Sequence, residues 1–290
     1  MSAPLVWHIR GRELTITRPL VMGIVNVTPD SFSDGGRFLD HAAAVEHGLR
    51  LVDEGADILD VGGESTRPGS QPVLLDEELR RVVPVIEELA RRTGVPVSVD
   101  TSKAEVARRS LAAGAGIVND VTAATGDPEM PGVVRDAGAG VILMHMRGTP
   151  ATMQQAPEYP EGVLTALDHF FQSRLQELPR LGIGPECAVL DPGIGFGKTA
   201  AHNWEILARL GELRRFGRPV CLGVSRKGLF GKLLDRPVDQ RLAASLAVAC
   251  ATMAQGSAQI LRVHDVAATR DAVRVFERIA RPTDSGTMTP

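Results

Sequence analysis

The stretch Met22–Gly36, MGIVNVTPDSFSDGG, decides how the rest of the chain is interpreted. An apolar run from Leu20 to Val27 leads into it and gives way to Asn, Thr, Pro, Asp, Ser and Gly. So many turn-forming residues cannot continue a strand or a helix. The stretch therefore predicts a buried strand that delivers a polar loop.

The same pattern recurs along the chain. Seven further short apolar runs begin at Asp57, Val95, Gly116, Gly140, Cys187, Pro219 and Ala258, and stretches with helical periodicity lie between most of them. Strands that alternate with helices predict a parallel sheet, because each parallel crossover needs a covering helix. Eight such units in roughly 250 residues indicate a (β/α)₈ TIM barrel. An open doubly wound sheet is the alternative, but no glycine fingerprint follows the first strand.

The two ends of the chain differ from this pattern. Residues 5–17 alternate around Arg10-Gly11-Arg12, which predicts a β-hairpin that closes one end of the fold. We therefore expect an N-terminal β-hairpin extension at 1–18 and one barrel domain at 19–281. The polar residues 282–290 are expected to form a disordered tail.

Composition restricts the classes of partner and compartment. The 290 residues are 43% hydrophobic and carry a formal net charge of −3, so neither disorder nor strong attraction to nucleic acid is expected. Three widely separated cysteines in apolar runs indicate buried thiols in a reducing compartment. With no leader segment and no apolar run of about 18 residues, we expect a cytoplasmic protein without a membrane partner.

Polar residues follow the predicted strands. In TIM barrels the strand C-termini form the active site, so these residues are candidates: Asn26, Asp60, Glu64, Asp100, Asn119, His145, Asp191, Ser225, Lys227, Arg262 and His264. Helix capping is the ordinary alternative for any one of them. Asp100 resists it because Ser102 and Glu105 have capping-box spacing, and Asp191 precedes a Gly-rich loop. His145 is expected beneath the pocket as a hydrogen-bonded residue.

The Gly-rich loop DPGIGFGKT, which starts at Asp191, fits neither common nucleotide motif. Pro192 stands where a P-loop needs glycine, and Lys198 stands where the dinucleotide pattern needs one. Such a loop still lets a flat ligand approach the backbone closely.

The charges of the candidates fall into two groups. Carboxylates can pair with a guanidine-like edge, so Asp100 and Asp191 with the amide of Asn119 suggest a pterin or guanine head. The cationic group suggests a diphosphate tail, and it consists of Arg67, Lys198, Lys227, Arg262 and His264. We expect the acidic and cationic groups at opposite ends of one cup.

Eight ordered motifs resemble the dihydropteroate synthase family of bacterial folate synthesis. They are MGIVNVTPDSFSDGG from Met22, DILDVGGESTRPG from Asp57, VSVDTSK from Val97, IVND from Ile117, LMHMRGTP from Leu143, LDPGIGFGKT from Leu190, GVSRKG from Gly223 and LRVHD from Leu261. The resemblance spans roughly Pro19 to Ile279. It implies condensation of 6-hydroxymethyl-7,8-dihydropterin diphosphate with 4-aminobenzoate, inhibition by sulfonamides, and a homodimer through the C-terminal helices.

The resemblance also implies a role for each matched residue. The pterin would contact Asp100, Asn119, Met144, Asp191, Phe196 and Lys227. The diphosphate would contact Asn26, Thr66, Arg67, Arg262 and His264, with a Mg²⁺ ion assisted by Asn26. The 4-aminobenzoate would be covered by the loop with Asp30, Ser31, Phe32 and Asp34, and by Thr66, Arg67, Pro68, Ser225 and Lys227. Asp100, Lys227, Arg262 and His264 would be the catalytic set.

The chemistry implied by these substrates favours early loss of diphosphate. An aniline nitrogen is a weak nucleophile because its lone pair is delocalised, so the barrier lies in expelling the leaving group. We expect an SN1-like transition state in which Asp100 steadies the electron-poor pterin. One alternative is a methyltetrahydrofolate-type pterin methyltransferase, which would not need the anion-binding residues Arg67, Arg262 and His264. The other is a non-catalytic pterin-binding paralogue.

Overall fold

The computed structural model describes residues 4–28, 37–66, 69–149 and 152–280. Strands β1 (Leu5–Ile9) and β2 (Arg12–Ile16) form the predicted antiparallel hairpin. Arg10 and Gly11 turn the chain with φ of 49° and 72°, the positive values that a two-residue hairpin of type I′ requires.

Eight parallel strands follow and confirm the predicted barrel. They are β3 (Leu20–Asn26), β4 (Ile58–Gly62), β5 (Val97–Asp100), β6 (Ile117–Asp120), β7 (Gly140–Met144), β8 (Ala188–Asp191), β9 (Cys221–Leu222) and β10 (Ile260–Val263). Neighbours pair in the order β8-β7-β6-β5-β4-β3-β10-β9. A parallel bridge between Leu190 and Val220 joins the two remaining edges.

Nine α-helices lie in the part of the chain that the structure describes. They are α1 (Arg37–Asp53), α2 (Leu75–Arg92), α3 (Ala104–Ala112), α4 (Met130–Ala137), α5 (Val163–Glu177), α6 (Ala200–Ala208), α7 (Gly228–Leu234), α8 (Leu242–Ala254) and α9 (Val266–Ala280). The short helices α4 and α7 were not expected from periodicity. Helix α2 is unbroken across Pro84, whose exposed position places its missing N–H donor on the solvent side.

The predicted capping box at the start of α3 is wrong. Lys103 occupies the N-cap position, and its side chain makes no capping hydrogen bond. Instead, the Asp127 carboxylate accepts from the backbone N–H of Ala104 at 2.8 Å. The first turn of this helix is therefore satisfied from a residue distant in sequence, which a local pattern cannot reveal.

An apolar layer fills the lower barrel. Successive strand residues face opposite sides of the sheet, so every second residue of a strand points into the barrel. The layer consists of Met22, Ile58, Ile117, Ile142, Val189, Cys221 and Ile260. Trp7 of the hairpin packs against this layer, is fully buried, and donates from Nε1 to the carbonyl of Cys187 at 2.7 Å. The hairpin therefore closes this end of the barrel.

Three remaining expectations concern the cysteines, membrane-spanning helices and the residues outside the described ranges. All three cysteines are free, but only Cys221 is buried, while Cys187 is half-buried and Cys250 is exposed. No helix among the described residues is long and apolar enough to cross a bilayer. The predicted site residues Asp30, Ser31, Phe32, Asp34, Arg67 and Pro68, and the predicted tail 282–290, lie outside the described residues.

Candidate active site

A polar layer lies directly above the apolar one. Two residues further along four strands, the inward positions are occupied by Asp60, Asn119, Asp191 and Arg262, which are buried or nearly so. Asp100 occupies the same position on β5, two residues after the fully buried Ser98. Because parallel strands end together, these side chains from five strands meet at one mouth of the barrel.

Arg262 is the centre of this layer. Its Nε donates to Asp60 Oδ2 at 2.6 Å and its Nη2 donates to Asp100 Oδ2 at 2.7 Å. The amide of Asn119 also donates to Asp60 Oδ2, at 3.0 Å. Acidic and basic groups are therefore interleaved, and the expected separation into an acidic and a cationic end is wrong. Pairing compensates the cost of burying each charge.

Burial and pairing set the charge states of the layer. Burial raises the pKa of Asp100 to about 7, with Arg262 opposing the rise and Asp60 adding to it. Burial also raises the pKa of Asp191, against the backbone N–H of Gly193 and the cations Lys227 and Arg262. Although burial lowers the pKa of Arg262, the two carboxylates raise it overall, so this guanidinium is permanently charged.

The Gly-rich loop after β8 is fixed by close backbone packing. Asp191 Oδ1 accepts from the N–H of Gly193 at 2.7 Å. Gly193 and Gly197 both have φ of 64°, and a Cβ there would lie 2.0 Å from the His145 carbonyl and 2.2 Å from that of Arg147. Only glycine allows this approach, so the loop lies directly on the segment after β7.

Lys198 does not line an anion pocket, contrary to expectation. It is only 2% exposed, and its ammonium contacts the carbonyls of His145, Gly193 and Phe196, each at 3.0 Å. It also lies 2.9 Å from His145 Nδ1. Burial lowers the pKa of His145 to about 3, so its neutral ring can accept this hydrogen bond. His145 is thus the hydrogen-bonded residue beneath the pocket that was predicted.

Replacing Lys198 with methionine is expected to destabilise the fold by roughly 3–5 kcal/mol, because buried carbonyls lose their donor. The matched control is Lys232→Met, which removes an exposed ammonium and should change stability by less than about 0.5 kcal/mol. Urea unfolding of both variants checks this expectation. Equal stability of the two variants would contradict the conclusion that the hydrogen bonds of Lys198 hold the two loops together.

Lys227 and Ser225 lie on the loop between β9 and α7. The Lys227 ammonium lies 4.4 Å from the centre of the Phe196 ring, a cation–π contact. Burial lowers the pKa of Lys227 to about 8, against the attraction of Asp191. Ser225 Oγ accepts from the backbone N–H of His264 at 3.2 Å and lies 3.0 Å from its Nδ1. The loop after β9 is thereby joined to the end of β10.

Arg226, between these two residues, holds the loop in shape. Its φ of 57° is unfavourable for any residue other than glycine. Its guanidinium forms a two-point ion pair with Asp265, including a 3.0 Å bond from Nε, and its backbone N–H donates to Ser245. These contacts offset the backbone strain at Arg226 and fix the orientation of the neighbouring Ser225 and Lys227.

A cavity of about 320 Å³ opens beside the polar layer. Its wall includes Asp100, Met144 and Thr66, three of the residues predicted to contact substrates. Asn26 is half-buried at the end of β3, and Phe196 is half-buried at the Gly-rich loop. Apart from Lys198 and His145, the described candidates from β3 to β10 follow strands whose carboxyl ends meet at one mouth of the barrel. A larger groove lies elsewhere, between α3 and α4.

Asp60 is the residue whose importance the sequence alone did not reveal. It was one of many polar residues in the predicted strands and received no role. In the structure it is fully buried, and one of its oxygens accepts from both Arg262 and Asn119. The available signal was its position, since Asp60 is two residues after inward-facing Ile58.

The sequence and the fold of this chain are shared with known proteins. The family model for pterin binding enzymes matches residues 22–264. The dihydropteroate synthase of Escherichia coli K12 is 47% identical over 268 residues, which are 92% of this chain and 94% of the relative. The chain belongs to the dihydropteroate synthase family. The family relationship predicted from the motifs is thereby confirmed.

Solved dihydropteroate synthases have the same fold. The Yersinia pestis enzyme, determined in complex with a sulfonamide drug, superposes with a TM-score of 0.89 at 45% identity and covers 95% of this chain and 99% of that one. The Xanthomonas albilineans enzyme in complex with 7,8-dihydropteroate gives a TM-score of 0.84 at 45% identity, with coverage of 94% and 98%. The barrel is therefore a feature that this chain has in common with dihydropteroate synthases.

Proposed function

We propose that the chain condenses 6-hydroxymethyl-7,8-dihydropterin diphosphate with 4-aminobenzoate to give 7,8-dihydropteroate and diphosphate. The observation that carries this proposal is the Asp60–Arg262–Asp100 ion-pair set, with Asn119 and Asp191 in the same layer. It offers carboxylates and an amide to a guanidine-like edge, and a guanidinium to an anionic tail.

The pterin ring is best accommodated between the strand ends and the Gly-rich loop. Asp100, Asn119 and Asp191 would bond its polar edge, while Met144 and Phe196 would pack against its faces. The cation–π contact holds Lys227 at the Phe196 ring, 4.4 Å from its centre, where the ammonium can reach the heterocycle. A flat ring is favoured here because Gly195, whose Cα faces the Lys227 side chain, has no side chain to obstruct it.

The diphosphate would lie nearer the opening, against Asn26, Thr66, Arg67, Arg262 and His264. Arg262 has five N–H donors, and its bonds to Asp60 and Asp100 occupy Nε and one hydrogen of Nη2. The remaining donors can serve the leaving group. Ser225, Lys227, Thr66, Phe32 and Pro68 are proposed to surround 4-aminobenzoate, and a sulfonamide would imitate this second substrate.

A magnesium ion fits this donor set as a companion of the diphosphate. No cluster of three or more His, Cys, Asp or Glu residues that could hold a metal occurs in the described ranges. Mg²⁺ is commonly held by few protein ligands together with substrate phosphates and water, which suits the amide oxygen of Asn26. When bound, the ion would neutralise charge on the leaving group.

The proposed reaction breaks the bond between the exocyclic pterin carbon and the bridging oxygen, and the electron pair leaves with diphosphate. The aniline nitrogen then forms the new C–N bond and loses a proton to solvent. Arg262 and His264 stabilise charge on the departing oxygens. Asp100 stabilises the electron-poor pterin, an electrostatic role that its position beside Arg262 supports.

Mass spectrometry of purified protein with both substrates and Mg²⁺ tests the function directly. A product with the mass of 7,8-dihydropteroate is expected, and it should be absent when 4-aminobenzoate is omitted. A methyltransferase or a non-catalytic pterin-binding protein would yield no such product. Its absence under conditions where the pterin substrate binds would refute the proposed function.

The chain is also proposed to act as a cytoplasmic homodimer of one barrel domain. Large exposed apolar side chains concentrate on α7–α9 and the connection before α8, namely Leu233, Leu234, Val238, Leu242, Val275 and Ile279. Large apolar side chains exposed on consecutive helices are of the kind that protein interfaces cover. The three free cysteines suit a reducing compartment.

A further inference from the structure

Lys103 lies beside the polar layer and joins two carboxylates from different elements. Its ammonium donates to Glu64 Oε2 and to Glu78 Oε2, each at 2.5 Å. Glu64 follows β4, whereas Glu78 belongs to the first turn of α2. A single side chain therefore connects the segment after β4 to a helix on the outside of the barrel.

The network continues from each carboxylate. On one side, Glu64 Oε2 also accepts from the N–H of Val73 at 3.1 Å, which closes the base of the β4–α2 loop. On the other side, Glu78 Oε1 accepts from Thr101 Oγ1 at 2.6 Å, and Thr101 directly follows Asp100. The base of the loop is thus connected to the strand end that carries Asp100.

A carboxylate as deeply buried as that of Glu78 is unusual if its only role is to stabilise the fold. Its side chain is 1% exposed, while those of Lys103 and Glu64 are 27% and 22% exposed. Buried ion pairs are poor stabilisers, because desolvation offsets most of their attraction and apolar packing commonly serves as well. What such a network supplies is a defined position for its members.

The geometry points to Glu64 and Lys103 as positioning residues for Thr66, which follows β4. Thr66 lies two residues after Glu64, and both line the cavity beside Asp100. The bridge would hold Thr66 at the mouth of the barrel before the second substrate arrives. This inference rests on the proposed function, in which Thr66 contacts 4-aminobenzoate.

Glu64→Ala tests the inference with little risk to folding, because Lys103 still neutralises buried Glu78. The KM for 4-aminobenzoate, at saturating dihydropterin diphosphate, is expected to rise about tenfold. Thr66 is also one of the five residues proposed to contact the diphosphate, so the Kd for dihydropterin diphosphate, from calorimetry, should rise by no more than about threefold. Hydrogen–deuterium exchange should accelerate in residues 69–74, where the Val73 amide loses its acceptor.

The matched control is Glu46→Ala, which removes an exposed carboxylate 3.1 Å from Arg92 and should alter none of these readouts. Unchanged exchange at 69–74 would overturn the inference, and so would faster exchange with an unchanged KM. Affinities for both substrates that weaken by the same factor, with a lower melting temperature, would indicate a merely structural role and overturn it as well. Absence of product with the unaltered chain would instead refute the proposed function, while exchange would still report on the bridge.

Discussion

Arg262→Met is expected to reduce turnover by about 10³-fold and to destabilise the fold by roughly 3–5 kcal/mol. The substitution leaves Asp60 fully buried and Asp100 nearly so, without the guanidinium that bonds both. It also removes a donor that the leaving diphosphate would use. Steady-state kinetics and urea unfolding at pH 8 measure the two effects separately.

The instability of Arg262→Met should depend on pH in a defined direction. Burial already raises the pKa of Asp100 to about 7, and loss of Arg262 removes the charge that opposes this rise. A group whose pKa is higher in the folded state contributes stability at low pH, and this contribution is lost as pH rises. The variant should therefore be closer to the unaltered chain at pH 5 than at pH 8.

A surface substitution provides the comparison. Arg91→Met removes a largely exposed guanidinium from its pair with Glu88, and it should leave the urea unfolding midpoint unchanged. Arg262→Lys keeps the charge but cannot form the two-armed contact, so an intermediate loss is expected. Arg262→Met with normal turnover and normal stability would show that this side chain serves neither the leaving group nor the carboxylates.

Asp100→Asn is expected to lower kcat by about 10²-fold to 10³-fold and to change the Kd for dihydropterin diphosphate by less than about threefold. The amide is nearly the same shape and can still accept from Arg262, so the pterin should still bind. What is lost is the negative charge that stabilises the electron-poor pterin in the transition state. Steady-state kinetics measures kcat and calorimetry measures the Kd, so the two expected effects can be separated.

The pH profile provides a second measure of the same group. For the unaltered chain, kcat/KM for the pterin substrate should rise as Asp100 ionises near pH 7 and fall as Lys227 loses its proton near pH 8. Asp100→Asn should lose the acidic limb of this profile. Asp191→Asn is the matched control, because Asp191 is proposed to hold the pterin ring. Its substitution should therefore weaken pterin binding. An equal loss of turnover and binding in Asp100→Asn would contradict the electrostatic role.

Much of the fold could be predicted because it follows from local pattern. Short apolar runs separated by helical stretches identify all eight strands, since a strand covered on both sides must be apolar throughout. The ends of parallel strands meet, so placing Asp100, Asn119, Asp191 and Arg262 at one mouth needs no knowledge of individual contacts. No helical period reveals α4 or α7, because eight and seven residues hardly establish one, and for α4 the sequence offers only Pro128, a residue suited to a helix start.

The pairing of charges could not be predicted in the same way. Which carboxylate contacts Arg262 depends on how the inward positions of separate strands align, and no motif records that alignment. Counting two residues from each buried apolar side chain would have placed Asp60 in the polar layer. Lys198 was misplaced for another reason: positive φ at Gly193 and Gly197 brings two loops together, and the lysine is turned inward to bond their carbonyls.

The most direct measurement follows the bridging oxygen of dihydropterin diphosphate labelled with ¹⁸O. If diphosphate departs before the amine bonds, recombination in the barrel mouth should move the label into a non-bridging position without any 4-aminobenzoate. We expect this scrambling in unconverted substrate with the unaltered chain and Mg²⁺, and much less of it with Arg262→Met. Label that stays in the bridge, in a preparation that forms dihydropteroate once 4-aminobenzoate is added, would contradict loss of diphosphate as the first step.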